Sequence, residues 1–234
     1  MFKAPIVMLD FETTGLSPAY GDRITEVAAL RIVGDRIVER YVSLINCNVR
    51  IPSFISELTG ITQAMVNRSP SVSVVLPELL DFIGQDVLAA HNASFDIKFL
   101  SAESTRLGLT PSHANLVCSL KLARRIYPGL TSYKLTSLAN ELGIKFNNRA
   151  HRAEADAEVA AELLIHIGKH LRKNYQLSAL DPQIFSQINK LSAAKVANYL
   201  QHKLVSKPLF VQNQVLKKHY QKYKMSFKDI LVVR

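Results

Sequence analysis

A continuous apolar run near the N-terminus, residues 4–9, is the feature that most constrains the fold of this 234-residue chain. A run without polar alternation is typical of a strand buried on both faces, at the centre of a sheet. The run stops at Asp10, and Glu12 follows two residues later. Because side chains alternate along a strand, both carboxylates point to the same face. Their charges repel and lose solvation there, which a divalent cation would compensate; a pair of surface acids at a strand end is the alternative.

Strand-like and helix-like segments alternate through the first 170 residues. Apolar runs predict further strands over residues 24–33, 36–45, 87–90 and 116–118, with a hairpin turn at Gly34-Asp35. Helical spacing predicts helices over residues 72–82, 94–107, 120–126, 135–142 and 153–170. Residues 51–70, which contain three Pro and Gly positions, are expected to be irregular. This order predicts an α/β domain with a mixed sheet.

Two further carboxylates point inward from predicted helices. Ala93, Asp96 and Leu100 share one helix face, which turns Asp96 toward the sheet. Asp96 also lies in the first helical turn, where the helix dipole favours an anion, so simple stabilisation of the helix is the alternative. Asp156 interrupts the apolar stripe of the helix over residues 153–170. Inward carboxylates are rare unless they are paired or bound to a metal.

His151 stands five residues before Asp156. On a helix this spacing separates two side chains by ~140°, so a shared site requires His151 on the loop before the helix. A surface histidine at a helix start is the alternative. Taken together, four carboxylates at strand and helix ends suit two divalent cations with oxygen ligands. An imidazole beside them suits deprotonation of an attacking water at neutral pH.

Three segments carry a family resemblance: residues 9–16 (LDFETTGL), 91–96 (HNASFD) and 151–156 (HRAEAD). They resemble the three motifs of the DEDDh 3′–5′ exonucleases, above all those of the DNA polymerase III epsilon (proofreading) subunit and of the exonuclease domain of Gram-positive replicative polymerases. Residues 58–62, 120–129 and 135–139 agree with this likeness, which covers residues 4–170. It implies a ribonuclease H-like fold and metal-dependent release of nucleoside 5′-monophosphates from DNA 3′ ends, with two Mg²⁺ or Mn²⁺ ions.

The resemblance also implies a role for each matching residue. The implied metal-binding acids and general base are Asp10, Glu12, Asp96, Asp156 and His151, the histidine being the base. The implied substrate-binding residues are Thr13, Thr14, Leu16, Thr59, Asn92 and Phe95. Leu16 would wedge beside the last base. Thr59 stands where the epsilon subunit has a histidine and the Gram-positive polymerase domain has a threonine, so its contact with substrate is expected to differ from that in epsilon.

The net charge of +10 is concentrated after residue 170. Residues 1–170 hold 17 basic and 17 acidic residues, whereas residues 171–234 hold 12 basic residues against Asp181 and Asp229. This asymmetry predicts a basic appendage that meets a polyanion, with nucleic acid favoured because lysines displace counterions from phosphates. A solvated lysine-rich face without a partner is the alternative. We therefore predict a DEDDh exonuclease domain over residues 1–172 and a basic, mostly helical C-terminal extension over residues 173–234.

Within the extension, helical stretches are expected over residues 180–204 and a strand over residues 227–233. Tyr199, Tyr220 and Tyr223 lie among lysines, a mixture that suits single-stranded nucleic acid; packing in a small core is the alternative, favoured for Tyr199. Residues 176–180 loosely resemble a sliding-clamp peptide. The candidate partners are single-stranded or frayed DNA 3′ ends, a DNA polymerase subunit and a sliding clamp.

Several function classes are excluded by the sequence. No apolar run approaches the ~18–20 residues of a membrane helix. The N-terminal segment lacks the pattern of a signal peptide, and two cysteines, Cys47 and Cys118, make neither a disulfide framework nor a metal cluster. We therefore expect a cytoplasmic protein without a membrane partner. Two alternatives to a DNA exonuclease stay open: an RNA-trimming exonuclease of the same superfamily, and a polymerase accessory subunit that acts mainly through its extension.

Overall fold

Residues 6–118 contribute the strands of a five-stranded mixed sheet. The structure, a computed structural model, describes residues 1–145 and 151–204. Within them, the strands are Ile6–Thr13 (β1), Ile24–Val33 (β2), Arg36–Leu44 (β3), Val87–Ala90 (β4) and Leu116–Cys118 (β5). The strand order is β3-β2-β1-β4-β5; β1 is antiparallel to β2, and β1, β4 and β5 are parallel. The predicted mixed α/β sheet is confirmed.

Helices flank this sheet. Those in the described ranges are Ser53–Thr59 (α1), Gln63–Asn67 (α2), Val72–Ile83 (α3), Ser94–Arg106 (α4), Ser119–Ile126 (α5), Leu135–Glu141 (α6), Ala153–Tyr175 (α7), Gln183–Lys190 (α8) and Ala193–Leu204 (α9). Val7, Leu9 and Phe11 of β1 share one core cluster with side chains of α3 and α4. Alternation turns the intervening side chains of β1 to the other face. Helix α7 packs against β1 and β2.

Strand β1 is longer than its apolar run predicts. It continues through Asp10 and ends at Thr13, because the antiparallel strand β2 supplies hydrogen-bond partners along its whole length. Its parallel neighbour β4 stops at Ala90, opposite Leu9. The last residues of β1 therefore have a strand partner on one side and an open edge on the other. Asp10 and Glu12 lie inside the strand and not at its end, which corrects the predicted boundary.

Residues 51–70 form helices α1 and α2, so the expectation of an irregular segment is wrong. Pro52 precedes α1, where a proline is tolerated because the first helical N–H groups lack intrahelical partners. Gly60 ends α1 in the left-handed region, with φ 75°. Thr62 begins α2 by accepting the Met65 N–H at 3.3 Å. The proline and glycine mark the ends of short helices here.

The chain divides into two compact units, Met1–Val196 and Ala197–Arg234. In the first unit, the Leu180 N–H donates to the Met1 carbonyl and the Lys3 N–H to the Leu180 carbonyl, both at 3.0 Å. The Asn189 side chain accepts the Cys118 N–H at 2.7 Å and donates to the Cys118 carbonyl at 3.2 Å. Asn189 therefore pairs with β5 as a strand would, and the segment that follows α7 is joined to the sheet.

The second unit is described only through residues 197–204, the last part of α9. The helical stretches predicted within residues 180–204 are present as α8 and α9. The strand predicted over residues 227–233 lies outside the described residues, as do Tyr220 and Tyr223. The division into an exonuclease domain over residues 1–172 and an extension over residues 173–234 stays a prediction. Among the described helices, none combines the length and apolar character needed to cross a membrane.

Candidate active site

Three carboxylates converge beside the central strand. An oxygen of Asp10, one of Glu12 and one of Asp156 all lie within 4.8 Å of one another. Strand β1 supplies the first two from one face, and α7 brings the third in its first turn. Carboxylate oxygens at this spacing are the donor set that hard divalent cations prefer.

Asp96 adjoins these three acids from the first turn of α4. Its side chain is 2% exposed, and its Oδ1 accepts the N–H of Phe11 at 3.2 Å. Its negative charge is, after burial, the largest influence that raises the pKa of Asp10. The inward orientation of Asp96 agrees with its predicted helix face. The structure thus brings all four predicted acids together beside the second half of β1.

Burial and mutual repulsion raise the pKa values of these acids. The pKa of Glu12 rises to about 8, first through desolvation and then through the charges of Asp156 and Glu26. Burial raises the pKa of Asp96 to about 7. Burial, followed by the charges of Asp96 and Glu12, raises the pKa of Asp10 well above its ordinary value. Full ionisation of such a cluster needs a compensating charge, so the residues fit a site for divalent cations.

His151 lies on the loop immediately before α7, where the spacing required it to be. Its side chain is exposed, and its backbone is in the left-handed region with φ 64°. Its N–H donates to Asp156 Oδ2 at 3.2 Å. The imidazole is therefore carried by a backbone segment that is tied to one of the clustered acids.

Glu26 and Arg152 belong to the same region and were not assigned from the sequence. Glu26 lies on β2 opposite Glu12 and is 2% exposed. Its carboxylate accepts hydrogen bonds from Arg152 Nε at 3.1 and 3.2 Å, from Arg152 Nη2 at 2.5 Å and from the Ala153 N–H at 3.0 Å. The signal that could have found Glu26 is the one used for Asp156, a carboxylate inside an apolar run.

The predicted nucleotide-wedging residue, Leu16, projects from the loop between β1 and β2 with 79% of its side chain exposed. Lys98 Nζ donates to the Leu16 carbonyl, which holds the loop against α4. The same ammonium lies 4.9 Å from the centroid of the Phe95 ring. Asn92 is exposed just before α4, and its backbone is left-handed with φ 66°. Leu16, Asn92 and Phe95 are thus accessible or partly accessible near the start of α4.

Thr13 and Thr14 shape this loop from inside, since both side chains are buried. Thr13 Oγ1 donates to the Gly15 carbonyl at 2.6 Å, and Thr14 Oγ1 accepts the Arg23 N–H at 3.0 Å. A Cβ on Gly15 would stand 2.4 Å from an Asp22 carboxylate oxygen, so only glycine fits there without a shift of Asp22. The loop is therefore built around close internal contacts that leave Leu16 outside.

Thr59 is placed differently from the other predicted substrate-binding residues. Its side chain is 2% exposed at the end of α1. Its hydroxyl donates to the Ile55 carbonyl at 2.9 Å and accepts the Ile61 N–H at 3.1 Å. The hydroxyl is thus occupied within its own helix terminus, and a direct contact between Thr59 and substrate would require these bonds to break.

The same fold occurs in known nucleases. Residues 7–164, which run from the second residue of β1 through β5 and into α7, match the RNase_T family, whose description is "Exonuclease". The chain belongs to this exonuclease family, and the predicted DEDDh-type exonuclease is confirmed.

Curated relatives include replicative polymerases and their subunits. The chain is 36% identical over 169 residues to the DNA polymerase III subunit epsilon of Aquifex aeolicus. This alignment covers 72% of this chain and 83% of that protein. It is 39% identical over 167 residues to the PolC-type DNA polymerase III of Caldanaerobacter subterraneus. That match covers 71% of this chain but only 12% of the polymerase. A match to the 3′–5′ exonuclease DinG of Bacillus subtilis, 36% identical, likewise covers 74% of this chain and 18% of that protein.

Solved structures show the same architecture. The chain aligns with exonuclease X in complex with 5′ overhanging duplex DNA at a TM-score of 0.62 and 26% identity, covering 79% of this chain and 99% of that one. The nuclease domain of 3′hExo, a DEDDh family member bound to rAMP, aligns at a TM-score of 0.64 and 22% identity, covering 71% and 92%. The ribonuclease H-like fold predicted from the motifs is therefore confirmed.

Proposed function

We propose that this chain is a metal-dependent 3′–5′ exonuclease that releases nucleoside 5′-monophosphates from DNA 3′ ends, in proofreading or repair. The observation that carries the proposal is the convergence of Asp10, Glu12 and Asp156 within 4.8 Å, with Asp96 beside them. The preference for DNA rests on the relatives named as DNA polymerase III, which are 36–39% identical over most of the exonuclease fold.

The four acids would hold two divalent cations, Mg²⁺ or Mn²⁺. When bound, two such ions supply charge stabilisation for the attacking and leaving oxygens of a phosphodiester displacement. Asp10 and Glu12 are fixed by the strand register, whereas Asp156 is fixed by the first turn of α7. Burial and the neighbouring negative charges raise the pKa of Glu12 to about 8. A bound cation would offset those charges and favour the ionised carboxylate.

His151 would act as the general base on the attacking water. Its exposed imidazole on a loop can reach water and substrate, and the bond from its N–H to Asp156 keeps its backbone next to the acids. Proton transfer by a positioned histidine contributes ~10²–10⁴-fold to a reaction rate. The transferred proton then leaves with solvent from the exposed ring.

The terminal nucleotide would lie against the loop between β1 and β2 and the start of α4. Leu16, exposed at 79%, would wedge beside the last base, with Asn92 and Phe95 flanking the same pocket. Thr13 and Thr14 would act mainly through the loop that they shape. A role for Thr59 stays a prediction.

A second candidate function is the trimming of RNA 3′ ends with the same five residues. The observation that favours it is the structural likeness to the nuclease domain of 3′hExo bound to rAMP. Recognition of RNA depends on contacts to the 2′-hydroxyl. We further propose a cytoplasmic location, and a DNA polymerase subunit or a sliding clamp as the partner of the basic extension.

The test uses 5′-labelled single-stranded DNA and RNA of one sequence, incubated with the full chain and Mg²⁺ and separated on a sequencing gel. The proposal predicts a one-nucleotide ladder on DNA that disappears with EDTA. A ladder formed mainly on RNA would move the role to RNA processing. A ladder that survives EDTA would contradict the metal-dependent chemistry.

A further inference from the structure

The contacts of Glu26 and Arg152 lie next to His151 but are not explained by metal binding. We propose that these two residues are positioning residues for His151, which they serve by capping helix α7 and fixing the backbone that carries the imidazole. The proposal rests on the proposed exonuclease function, and it adds a device that neither the motifs nor the acid cluster assign.

The cap is the first part of the argument. Helix α7 begins at Ala153, and its N-terminal flanking residue Arg152 makes no side-chain capping bond. The first N–H groups of a helix lack intrahelical partners and need an outside acceptor. Glu26 Oε2 accepts the Ala153 N–H at 3.0 Å, so a carboxylate from strand β2 caps the helix from another element. Negative charge at this helix end is also favoured by the helix dipole.

The ion pair is the second part. A carboxylate that is 2% exposed is costly unless it is paired and hydrogen-bonded. Arg152 supplies that pairing through Nε and Nη2, with a closest contact of 2.5 Å to Glu26 Oε1. One carboxylate therefore holds two consecutive residues, Arg152 by its side chain and Ala153 by its backbone. Both follow His151 directly in the chain.

The backbone of His151 is the third part. The left-handed backbone of His151, with φ 64°, is unfavourable for a residue other than glycine and persists only where its surroundings enforce it. The N–H of His151 donates to Asp156 Oδ2 at 3.2 Å, which holds the backbone on that side. On the other side, Glu26 holds the backbone through its bonds to Arg152 and to the Ala153 N–H. These two carboxylates fix the left-handed turn from which the imidazole projects.

The anchor of this device is the strand register. Glu26 lies directly opposite Glu12 in the antiparallel pair of β2 and β1. The distance between the loop of His151 and the acids of β1 is therefore set through one cross-strand pair. Proton transfer requires catalytic groups to be held within ~0.5 Å of their productive geometry, which a free loop does not provide.

The test compares Glu26→Ala and Arg152→Ala with the parent chain. Because all four acids remain, both variants should still bind Mn²⁺, and KM for a single-stranded DNA substrate should change little. Turnover should fall by about 10–100-fold, as is typical when a group that orients a catalytic residue is removed. Hydrogen exchange of the peptide covering residues 151–157 should accelerate in both variants, a readout that does not depend on activity.

Arg40→Ala is the matched control. Arg40 also ties the sheet to α7, through Glu154 at 3.3 Å and Glu158 at 3.0 Å, but these contacts are on the exposed side of the helix. Its loss should leave turnover and the exchange of residues 151–157 within about twofold of the parent. A general weakening of the contact between α7 and the sheet would affect all three variants alike.

Glu26→Gln and Arg152→Lys keep the experiment interpretable if an alanine variant fails to fold. The glutamine retains an acceptor for the Ala153 N–H, and the lysine retains the charge, so each should lose less turnover than the corresponding alanine. The proposal would be overturned if all four variants at Glu26 and Arg152 showed the same turnover and the same hydrogen exchange as Arg40→Ala. A parent chain without Mg²⁺-dependent exonuclease activity would instead contradict the proposed function, and the exchange data would still decide whether Glu26 and Arg152 fix the backbone of His151.

Discussion

The carboxylate of Asp96 accepts the backbone N–H of Phe11 at 3.2 Å, at a point along β1 where strand β4 has already ended. Beyond Leu9, the open edge of β1 would leave a buried amide without a partner. A side chain from the first turn of α4 satisfies that amide. Asp96 therefore has two roles, because it completes the hydrogen bonding of the central strand and adds a negative charge beside Asp10.

These two roles are separable by mutation. Asp96→Asn keeps an oxygen acceptor for the Phe11 N–H, whereas Asp96→Ala leaves that amide buried and unsatisfied. Both variants should lose exonuclease activity, but the alanine variant should be less stable than the asparagine variant by about 1–3 kcal/mol. Urea unfolding in EDTA measures the difference. Equal stabilities would show that the hydrogen bond contributes nothing.

The pKa shift of Glu12 predicts an unusual pH dependence of stability in metal-free buffer. Its folded-state pKa of about 8 exceeds its ordinary value of 4.5, so the folded state binds the extra proton. The contribution of Glu12 to the stability of the folded state is therefore fully present below its ordinary pKa and is lost as the pH rises through about 8. The melting temperature in EDTA should therefore fall between pH 5 and pH 9.

Glu12→Gln removes the ionisable group that causes this pH dependence of stability. At pH 9 in EDTA the variant should be more stable than the parent by about 2–4 kcal/mol, and its melting temperature should decline less steeply with pH. Ser73→Ala, an exposed substitution on α3, should leave the parent's curve unchanged. A parent whose stability rises steadily to pH 9 would contradict the crowding of charge in the cluster.

Leu16 is suited to a contact made only with substrate, since 79% of its side chain is exposed. Leu16→Ala should lower kcat/KM on single-stranded DNA by about tenfold, the equivalent of the ~1–2 kcal/mol expected for loss of a partly buried leucine contact. Its thermal stability should not change. Val38→Ala, which trims an exposed apolar side chain on β3, should leave both quantities unchanged. Equal kinetics in the two variants would remove Leu16 from the site.

The basic extension is best tested by a chain that ends at Leu204. Residues 205–234 contain seven basic residues and one acidic residue. Their removal should weaken DNA binding and flatten its dependence on salt, with turnover largely retained. A cut after residue 172 is a poorer test, because it also removes the bonds from Asn189 to Cys118. An unchanged salt dependence in the shorter chain would indicate a protein partner.

The sequence predicts most of the sheet because its strands are apolar runs with clear ends. Strand β2 has the predicted bounds, Ile24–Val33, whereas β1 extends past its apolar run. The length of β1 depends on the antiparallel partner beside it, which local composition does not report. In the same way, α1 and α2 depend on helix-end geometry at a proline and a glycine, which the sequence alone does not distinguish from a loop.

The sequence context of the four acids predicts that they share a candidate site, but it does not predict the residues that support them. Asp96 and Asp156 interrupt helical apolar faces, which is a local signal. Glu26 is recognisable only as a carboxylate in an apolar strand, and its partner Arg152 lies 126 residues away in the chain. Contacts between residues so far apart in sequence are fixed by strand register and helix packing, so no local sequence pattern predicts them.

The most direct test of the metal-site assignment compares Asp156→Asn with Glu158→Gln in one exonuclease assay. Both residues lie in the first turns of α7 and each substitution removes one negative charge, but Asp156 belongs to the acid cluster, whereas Glu158 faces Arg40. Two divalent cations held by the proposed site would supply several kcal/mol of stabilisation to the transition state, so Asp156→Asn should lower Mg²⁺-dependent turnover by about 10³-fold in a folded protein. Glu158→Gln should stay within about twofold of the parent. Equal turnover in Asp156→Asn and the parent would contradict the assignment of the active site.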